Sequence, residues 1–276
     1  MVQPSAHFQD TVAALSENGA LKVWSILVTI FGDLAQGEDE AITGPVLSAI
    51  TERLGIKPEA QRVALHRLRK DGWIESRKDG RVSRYQLTPS GRAQSQAASP
   101  RIYQRTPTAT AGWHALIAPP GAAADRHLTQ DDLSAKGYVQ IQPSVFLRAG
   151  PLRDAPCAFL PLASAGSAVP DWVLNAVAPD ALVSAYTTFA DTLDAIAPHL
   201  QEAAQWSSLE RVAARVLILH GWRRLVLRHT GLTDSLFPDG WAGSRCRQLV
   251  FAALDTLGEP TVSPAVLTEP KVAAHI

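Results

Sequence analysis

The sequence predicts an α+β fold with several domains, and three observations support this prediction. Residues 43–92 contain two short helical patterns, joined at a glycine and followed by a hairpin pattern, which is typical of a winged helix-turn-helix. Residues 101–165 contain strand-like runs, and the pattern from Asp180 onward is helical. The length of 276 residues suggests two or three domains, and a composition that is 46% hydrophobic can supply their cores.

Changes in pattern along the chain place the domain boundaries. Residues 93–100 (AQSQAASP) are small and polar and end in proline, which marks a linker. The sequence therefore predicts a winged-helix domain at 1–92, the linker at 93–100, a central domain at 101–178, and a helical C-terminal domain with a tail at 179–276. Within these, strands are expected at 113–118, 138–142 and 145–148, and helices at 128–136, 180–197, 208–229 and 244–257.

Capping signals place the helices of the first domain. Thr43 suits an N-cap, and Gly55 suits the residue after a helix end. Pro58 suits the first turn of the next helix, which ends at Asp71-Gly72. Upstream, the expected order is a loose tail at 1–10, a first helix from about Thr11 or Leu21 to about Ala35, and an acidic loop at 36–41.

The helix that starts near Pro58 has the features of a DNA-recognition helix. With residues about 100° apart, the face predicted to pack on the preceding helices contains Ala60, Val63, Ala64 and Leu68. A helix fits the major groove, and Arg can donate two hydrogen bonds to guanine. The residues predicted to read bases are therefore Gln61, Arg62, His66 and Arg69. Arg67 projects toward the packed side, and we expect it either to snorkel or to pair internally instead of reading bases.

The hairpin after this helix is placed by its turn. Asp79-Gly80 is a strong two-residue turn signal, and it sets Glu75 opposite Arg84 and Lys78 opposite Arg81. Two like charges facing each other across a turn are unfavourable unless a phosphate neutralises them. The predicted contacts to the DNA backbone, from the hairpin and from the ends of the preceding helix, are Lys57, Lys70, Arg77, Lys78, Arg81 and Arg84.

The charge of the chain is concentrated in this segment. Between Arg53 and Arg92 there are eleven Lys or Arg against four Asp or Glu, so the segment carries +7 in a chain whose 26 basic and 26 acidic residues cancel. Such a segment is suited to bind a polyanion such as double-stranded DNA. The alternatives are an ordinary solvated helix face with a soluble turn, and a winged helix that contacts protein.

Composition and motifs argue against several other classes of protein. The two cysteines, Cys157 and Cys246, lack a C-x-x-C spacing and are expected to be inert thiols in a reducing cytoplasm. The longest apolar run, residues 23–31, is about half of a membrane span. No His and Cys spacing indicates a metal site, and no nucleotide-binding or hydrolase motif is present. His114 and His127 are expected to be structural.

Several segments of the chain resemble the PaaX-like transcriptional repressors of phenylacetate catabolism. The segments that carry this resemblance are WSILVTIFGD (24–33), ALHRLRKDGWIE (64–75), YQLTPSGR (85–92), GYVQIQPSVFLR (137–148), LILHGWRRLVLR (217–228) and LFPDGWAG (236–243). The resemblance implies a winged helix, a small ferredoxin-like α/β central domain and an all-helical C-terminal domain. It also implies a homodimer that represses degradative genes and releases DNA when an aryl-acyl-CoA binds, which is phenylacetyl-CoA in the type case.

The C-terminal helical pattern offers candidate contacts for such an effector. Arginines suit the phosphates of CoA, and tryptophan and histidine can supply stacking surfaces and a polar edge. The candidates are His220, Trp222, Arg223, Arg224, Arg228 and Trp241. The alternative is an ordinary amphipathic helix with arginines on its wet face and tryptophans in the core.

Three functions remain open from the sequence. The first is a repressor that binds DNA as a homodimer and has no catalytic residues and no cofactor. The second is an acyl-CoA-binding protein or thioester enzyme that retains a winged helix, although no nucleophile and base lie in a recognisable pattern. The third is an adaptor that binds other proteins through the winged helix.

Overall fold

The computed structural model describes residues 4–17, 22–106, 112–120, 130, 132–134, 136–152, 155, 158–164, 169–228, 237 and 241–260. It divides into two compact units. Unit 1 contains Met1–Tyr103, Phe189–Arg224 and Gln248–Ile276, and unit 2 contains Gln104–Thr188 and Leu225–Arg247. This division differs from the predicted boundaries at 92, 100 and 178, because C-terminal helices share unit 1 with the N-terminal elements.

The N-terminal part of unit 1 combines five helices with a small antiparallel sheet. Its elements are α1 (Ala6–Glu17), α2 (Val23–Leu34), β1 (Ile42–Thr43), α3 (Gly44–Arg53), α4 (Pro58–Lys70), β2 (Ile74–Asp79), β3 (Val82–Leu87) and α5 (Pro89–Ile102). The strand order is β1-β3-β2. The prediction of a loose tail at 1–10 is wrong for the residues of α1, because Phe8 is buried there and packs edge-on against Trp206 with ring centroids 5.7 Å apart.

The C-terminal ends of α3 and α4 confirm the glycine signals in the sequence, whereas Thr43 at the N-cap of α3 makes no side-chain capping bond. Gly55 and Gly72 both have φ of 70°, the left-handed conformation that glycine adopts without strain. The amide of Ile56 donates to the carbonyl of Thr51 at 2.9 Å, and the amide of Trp73 donates to the carbonyl of Leu68 at 2.9 Å. These bonds form Schellman motifs, so both helices stop where glycine permits the reversal.

The hairpin has a different register from the predicted one. Asp79 pairs with Val82, so the two turn residues are Gly80 and Arg81. Gly80 has φ of 60° and no described non-glycine residue has positive φ, which is the pattern of a type II′ turn with glycine first. As a result Lys78 lies opposite Ser83 instead of Arg81, and the predicted pairing of Glu75 with Arg84 is absent.

Residues 93–100, predicted to be a linker, lie inside α5. Thr88 caps this helix by accepting a hydrogen bond from the amide of Gly91 at 3.0 Å. The side-chain amide of Gln36 donates to the hydroxyls of Ser95 and Ser99, both at 2.8 Å. The small polar residues are therefore packing and bonding positions of a helix, which local composition alone does not reveal.

The C-terminal helices contribute to both units. The elements after the second sheet are α6 (Asp171–Val177), α7 (Asp180–Gln201), a 3₁₀ turn (Ala203–Gln205), α8 (Ser208–Val226) and α9 (Ala242–Leu257). The predicted helices at 180–197, 208–229 and 244–257 are thus confirmed with shifted ends; residue 229 and the tail from 261 onward lie outside the described residues. No helix in the described part of the chain is long and apolar enough to cross a membrane.

A polar network, buried at Arg215 and Trp222, joins helices of unit 1 that are distant in sequence. The guanidinium of Arg215 on α8 donates to the carboxylate of Asp33 on α2 at 2.8 and 3.1 Å. The hydroxyl of Tyr103, directly after α5, donates to the same carboxylate at 2.8 Å. The indole of Trp222, fully buried on α8, donates to the carbonyl of Ile102 at 2.7 Å. These bonds fix α2, the end of α5 and α8 together.

Unit 2 is built on a four-stranded antiparallel sheet. Its strands are β4 (Trp113–Ile117), β5 (Val139–Gln142), β6 (Val145–Ala149) and β7 (Leu160–Ser164), in the order β5-β6-β4-β7. Three of them match predicted strands, and β7 was not predicted. Both faces of the sheet are covered, one by Val173 and Val177 of α6 and the other by Leu133. Of the helix predicted at 128–136, residues 130 and 132–134 are helical and residues 128, 129, 131 and 135 lie outside the described residues.

Candidate nucleic-acid interface

Helix α4 has one buried row and one broad exposed face. The buried row contains Gln61, Ala64, Leu65 and Leu68. The exposed residues are Glu59, Arg62, Val63, His66, Arg67, Arg69 and Lys70. Three of the four residues predicted to read bases, Arg62, His66 and Arg69, therefore lie on the exposed face, and the fourth does not.

Gln61 is a packing residue and not a base-reading one. Its side chain is only 5% exposed, and its amide oxygen accepts hydrogen bonds from Ser48 at 3.3 Å and Thr51 at 3.0 Å. Both hydroxyls belong to α3. A polar residue can be buried at a helix contact when it finds such partners, and these partners are not visible in the periodicity of α4.

Val63 lies outside the core, contrary to the prediction that it packs. Its exposure is 71%, while Leu65, which the predicted packed face omitted, is 6% exposed. The true face is rotated by roughly 70° about the helix axis from the predicted one. Leu65 and Leu68, the two largest apolar residues of the helix, were the signal that locates the face correctly.

Two basic residues of α4 already have partners in the protein. Arg62 donates to Glu59 at 2.9 Å, and both side chains are more than 70% exposed. Arg67 lies over the ring of Trp24 at 5.1 Å and pairs with Asp71 at 3.5 Å, so the expectation that it pairs internally is confirmed. Arg62 remains available to DNA because an exposed ion pair is weak, whereas Arg67 is held against α2.

The cations of the hairpin are exposed and partly paired. Arg77 lies opposite Arg84 across the strands. Each is balanced by an acid, Arg77 by Glu75 and Arg84 by Asp79, both at 3.3 Å. The hairpin residues Lys78 and Arg81 are exposed, as are Lys57 at the N-cap of α4 and Lys70 at its end.

These elements can present positive charge to a polyanion. The helix of 13 residues exposes one face for most of its length, and the hairpin follows it after a turn of three residues. An exposed helix with guanidinium groups can enter a major groove, and flexible lysines can reach phosphates. This chemistry is suited to nucleic-acid contact.

Comparison with known proteins identifies the relatives of the chain. A family model of PaaX-like proteins matches residues 22–91, and the PaaX-like protein C-terminal domain matches residues 178–262. Together they cover more than half of the chain. The chain belongs to the PaaX-like family. The first match contains α4 and the hairpin, so the exposed cations lie within the part of the chain that is typical of the family.

One named relative and one solved structure are similar to this chain to different extents. The transcriptional repressor PaaX of Escherichia coli (strain K12) is 29% identical over 245 residues, which cover 82% of this chain and 77% of that protein. A solved structure, the uncharacterized protein Rv0674 from Mycobacterium tuberculosis, is 19% identical, with a TM-score of 0.47 over 83% of this chain and 95% of that one.

The candidate effector residues of this PaaX-like chain are distributed over both units. His220, Trp222, Arg223 and Arg224 belong to unit 1, and Arg228 and Trp241 belong to unit 2. Trp222 is fully buried, and its indole is occupied by the carbonyl of Ile102. Trp241 is 8% exposed and stacks on Phe237 with ring centroids 4.3 Å apart. Both tryptophans are therefore core residues and not open stacking surfaces.

His220 of α8 and the half-buried Arg223 after it both lie close to polar groups of α2. Burial, together with Arg224 and Arg223, lowers the pKa of His220 to about 4, so this imidazole is neutral near pH 7. Its Nδ1 lies 3.3 Å from the hydroxyl of Thr29, and its buried Nε2 has no hydrogen-bond partner in the described structure. Burial also lowers the pKa of Arg223, whose guanidinium lies 3.5 Å from the hydroxyls of Ser25 and Thr29.

The other histidine and cysteine candidates that the structure describes, His114 and Cys246, are buried. His114 is buried, with Nδ1 2.8 Å from the carbonyl of Gly150 and Nε2 2.8 Å from the hydroxyl of Tyr138, which confirms its structural role. Burial raises the pKa of the Cys246 thiol to about 12, which keeps it protonated and unreactive. Cys157 and His127 lie outside the described residues. Among the described side chains no group of three or more His, Cys, Asp or Glu is placed to hold a metal ion.

Proposed function

We propose that this protein is a sequence-specific DNA-binding repressor of an operon for the catabolism of an aromatic acid of the phenylacetate type. The observation that carries the proposal is the exposed basic face of α4 beside a basic hairpin, in a segment of charge +7 within a PaaX-like chain. A relative, of Escherichia coli, is named a transcriptional repressor. We assign no catalytic step to the chain.

We further propose three structural parts for this repressor. The helices α3 and α4 with the hairpin form a winged helix-turn-helix. The sheet order β5-β6-β4-β7 with antiparallel neighbours supports a ferredoxin-like central part, although α6 follows β7 instead of preceding it. The helices α7–α9 form the helical C-terminal part, and two copies of the chain form the homodimer.

In this repressor, α4 would contact base edges, and the hairpin and the ends of α4 would contact the DNA backbone. On α4, Arg62, His66 and Arg69 contact base edges, where guanidinium groups favour guanine. The residues that contact the backbone are Lys57, Lys70, Arg77, Lys78, Arg81 and Arg84. Gln61 has no part in reading, because its side chain is occupied by α3.

The proposed effector is an aryl-acyl-CoA such as phenylacetyl-CoA, which would release the repressor from DNA. The C-terminal match to the family includes the arginines of α8. Arg224 and Arg228 are the candidates for direct contact with phosphates, because Arg224 is half-buried and Arg228 is exposed. His220 and Trp222 are buried between helices, and the half-buried Arg223 has its guanidinium 3.5 Å from the hydroxyls of Ser25 and Thr29, so we assign these three residues to positioning.

The DNA-binding part is tested by titrating a selected duplex at several salt concentrations. If a dimer makes roughly 6–10 phosphate contacts, affinity falls about 10³–10⁵-fold between 50 and 200 mM salt. Lys78→Ala should weaken binding to all sequences and reduce the salt slope of the dimer by about 2, since each protomer loses one phosphate contact. Lys136→Ala, which removes the same charge from an exposed position in unit 2, is the matched control. A flat salt response contradicts the proposal.

The effector part is tested by adding phenylacetyl-CoA to the preformed complex. We expect release of DNA, and a ligand at 100 times its dissociation constant stabilises the free protein by about 2.7 kcal/mol in a thermal-shift experiment. The same mixture is assayed for free CoA thiol. Steady thioester hydrolysis would instead support the enzyme that retains a winged helix, and DNA binding without any response to acyl-CoA would contradict the effector assignment.

A further inference from the structure

We propose that Val63 is a base-reading residue that packs its methyl groups against the C5-methyl group of a thymine in the major groove. This inference rests on the proposed function, because it requires that α4 enters the groove. It adds an apolar contact to a reading surface whose other members are charged or polar.

Val63 belongs to the part of α4 that points directly away from the protein. We define the outward ridge as Glu59, Val63, His66 and Lys70, which are spaced i, i+4, i+7 and i+11. With about 100° per residue, these four lie within roughly 30° of the direction opposite the buried row, whereas Arg62 and Arg69 lie about 70° and 90° from it. A helix that inserts along this direction therefore brings Val63 closer to the base edges than either arginine.

The position of Val63 along the helix also suits this role. It is the sixth residue of a helix that begins at Pro58, and recognition helices contact bases mainly through their N-terminal residues. Its neighbours Arg62 and Glu59 pair with each other at 2.9 Å in the free protein, and the side chain of Val63 is 71% exposed. The thymine methyl is the apolar feature that base edges present in the major groove.

Folding does not explain why a valine occupies this position. The side chain is 71% exposed and contributes nothing to the core of unit 1. Valine also has a lower helix propensity than alanine, leucine, lysine or glutamate. An apolar, β-branched side chain on the outward ridge therefore adds little to the stability of the free protein, and it is free to pack against a thymine methyl group.

The experiment uses the full chain and removes methyl groups from both partners. The preferred duplex is first selected from a randomised pool, and each of its thymines is then replaced by deoxyuridine, which lacks the methyl group. For the wild type we expect one position in each half-site at which the replacement weakens binding about fourfold, the value of one buried methyl group. At that position Val63→Ala should bring the thymine-to-uracil affinity ratio close to one.

Two further variants provide an intermediate case and a control. Val63→Thr keeps one methyl group and should give a ratio between those of the wild type and Val63→Ala. Leu160→Ala removes an exposed apolar side chain from β7 in unit 2 and should keep the wild-type ratio at every position. Melting temperatures confirm that each variant is folded, which we expect for Val63→Ala because alanine favours the helix.

The outcomes separate this inference from the proposed function. Selective, salt-dependent binding in which no uracil position weakens the wild type, or in which Val63→Ala keeps the wild-type ratio, overturns the role of Val63 alone. Failure to enrich any duplex overturns the proposed function and this inference with it.

Discussion

The side chain of Gln61 connects two helices whose relative placement determines which residues face outward. Its amide oxygen accepts from two hydroxyls of α3, so α4 is fixed in rotation as well as in position. Leu65 and Leu68 lie on the same row of α4 as Gln61 and are buried with it. Together these contacts turn Val63 and His66 away from the protein.

Replacement of Gln61 by alanine should therefore affect stability and not base preference. We expect a loss of about 1–3 kcal/mol in the free energy of unfolding, because the hydroxyls of α3 lose a buried acceptor. Urea unfolding measures this loss, and selection of preferred duplexes measures specificity. Arg62→Ala is the contrasting variant: it should leave stability nearly unchanged, cost about 1–3 kcal/mol of binding and relax base preference. A changed preferred sequence for Gln61→Ala would restore it as a reading residue.

The buried imidazole of His220 should make the protein less stable as the pH falls below neutral. The pKa of an unfolded histidine is near 6.5, and the folded value is about 4. Between these values the unfolded chain binds a proton that the folded chain excludes, so stability decreases with decreasing pH, on the order of 1 kcal/mol per unit. Urea unfolding at pH 7, 6 and 5 should show a shallower slope for His220→Gln than for the wild type.

At the scale of secondary structure, local signals predicted where helices end. The helix ends are set by local signals, the glycines Gly55 and Gly72 and the proline Pro58. Each of these residues acts on the backbone conformation of its immediate neighbours, so a short stretch of sequence is enough to predict them. The predicted hairpin register was wrong because glycine suits the second central position of one turn type and the first central position of another, and the two placements shift the pairing of the strands.

The junction between the hairpin and α5 depends on Gly91. A Cβ atom at this position would overlap the carbonyl oxygen of Trp73, a backbone atom that cannot easily move. Gly91→Ala should lower the free energy of unfolding by about 1–3 kcal/mol, even though alanine favours a helix by about 1 kcal/mol. Gly44→Ala is the matched control, because its Cβ would have its nearest neighbour at 3.6 Å. Equal stability of the two variants in urea would show that the junction has room to adjust.

At the scale of the whole molecule, the elements proposed to bind DNA do not form a compact unit by themselves. Unit 1 joins them to parts of the C-terminal helices, through the buried pair of Asp33 and Arg215 and the bond from Trp222 to Ile102. The sequence did not reveal this, because each partner is separated by more than a hundred residues and pairs in space only. The small residues at 93–100 suggested a linker where the structure has a helix.

A fragment of residues 1–103 should consequently be less stable than the same residues in the full chain. It lacks Trp206, the partner of Phe8, and Arg215, the partner of Asp33. Circular dichroism should show a lower melting temperature for the fragment. Asp33→Asn should cost about 3–5 kcal/mol in the full chain, where it leaves the charge of Arg215 buried and unpaired. The same substitution should cost little in the fragment, and an equal cost in both would contradict the role of the pair.

The order in which unit 1 is assembled has a consequence for synthesis of the protein. Residues 1–103 leave the ribosome first, but their partners extend to Arg224 and beyond. At about 5–20 residues per second, roughly 6–24 s separate the synthesis of residue 103 from that of residue 224. During this interval Phe8, Asp33 and Ile102 have no partners from α8 or the turn before it. We expect that a message truncated before α8 yields an N-terminal fragment that is degraded faster than the full chain, because the residues that complete its unit are never made.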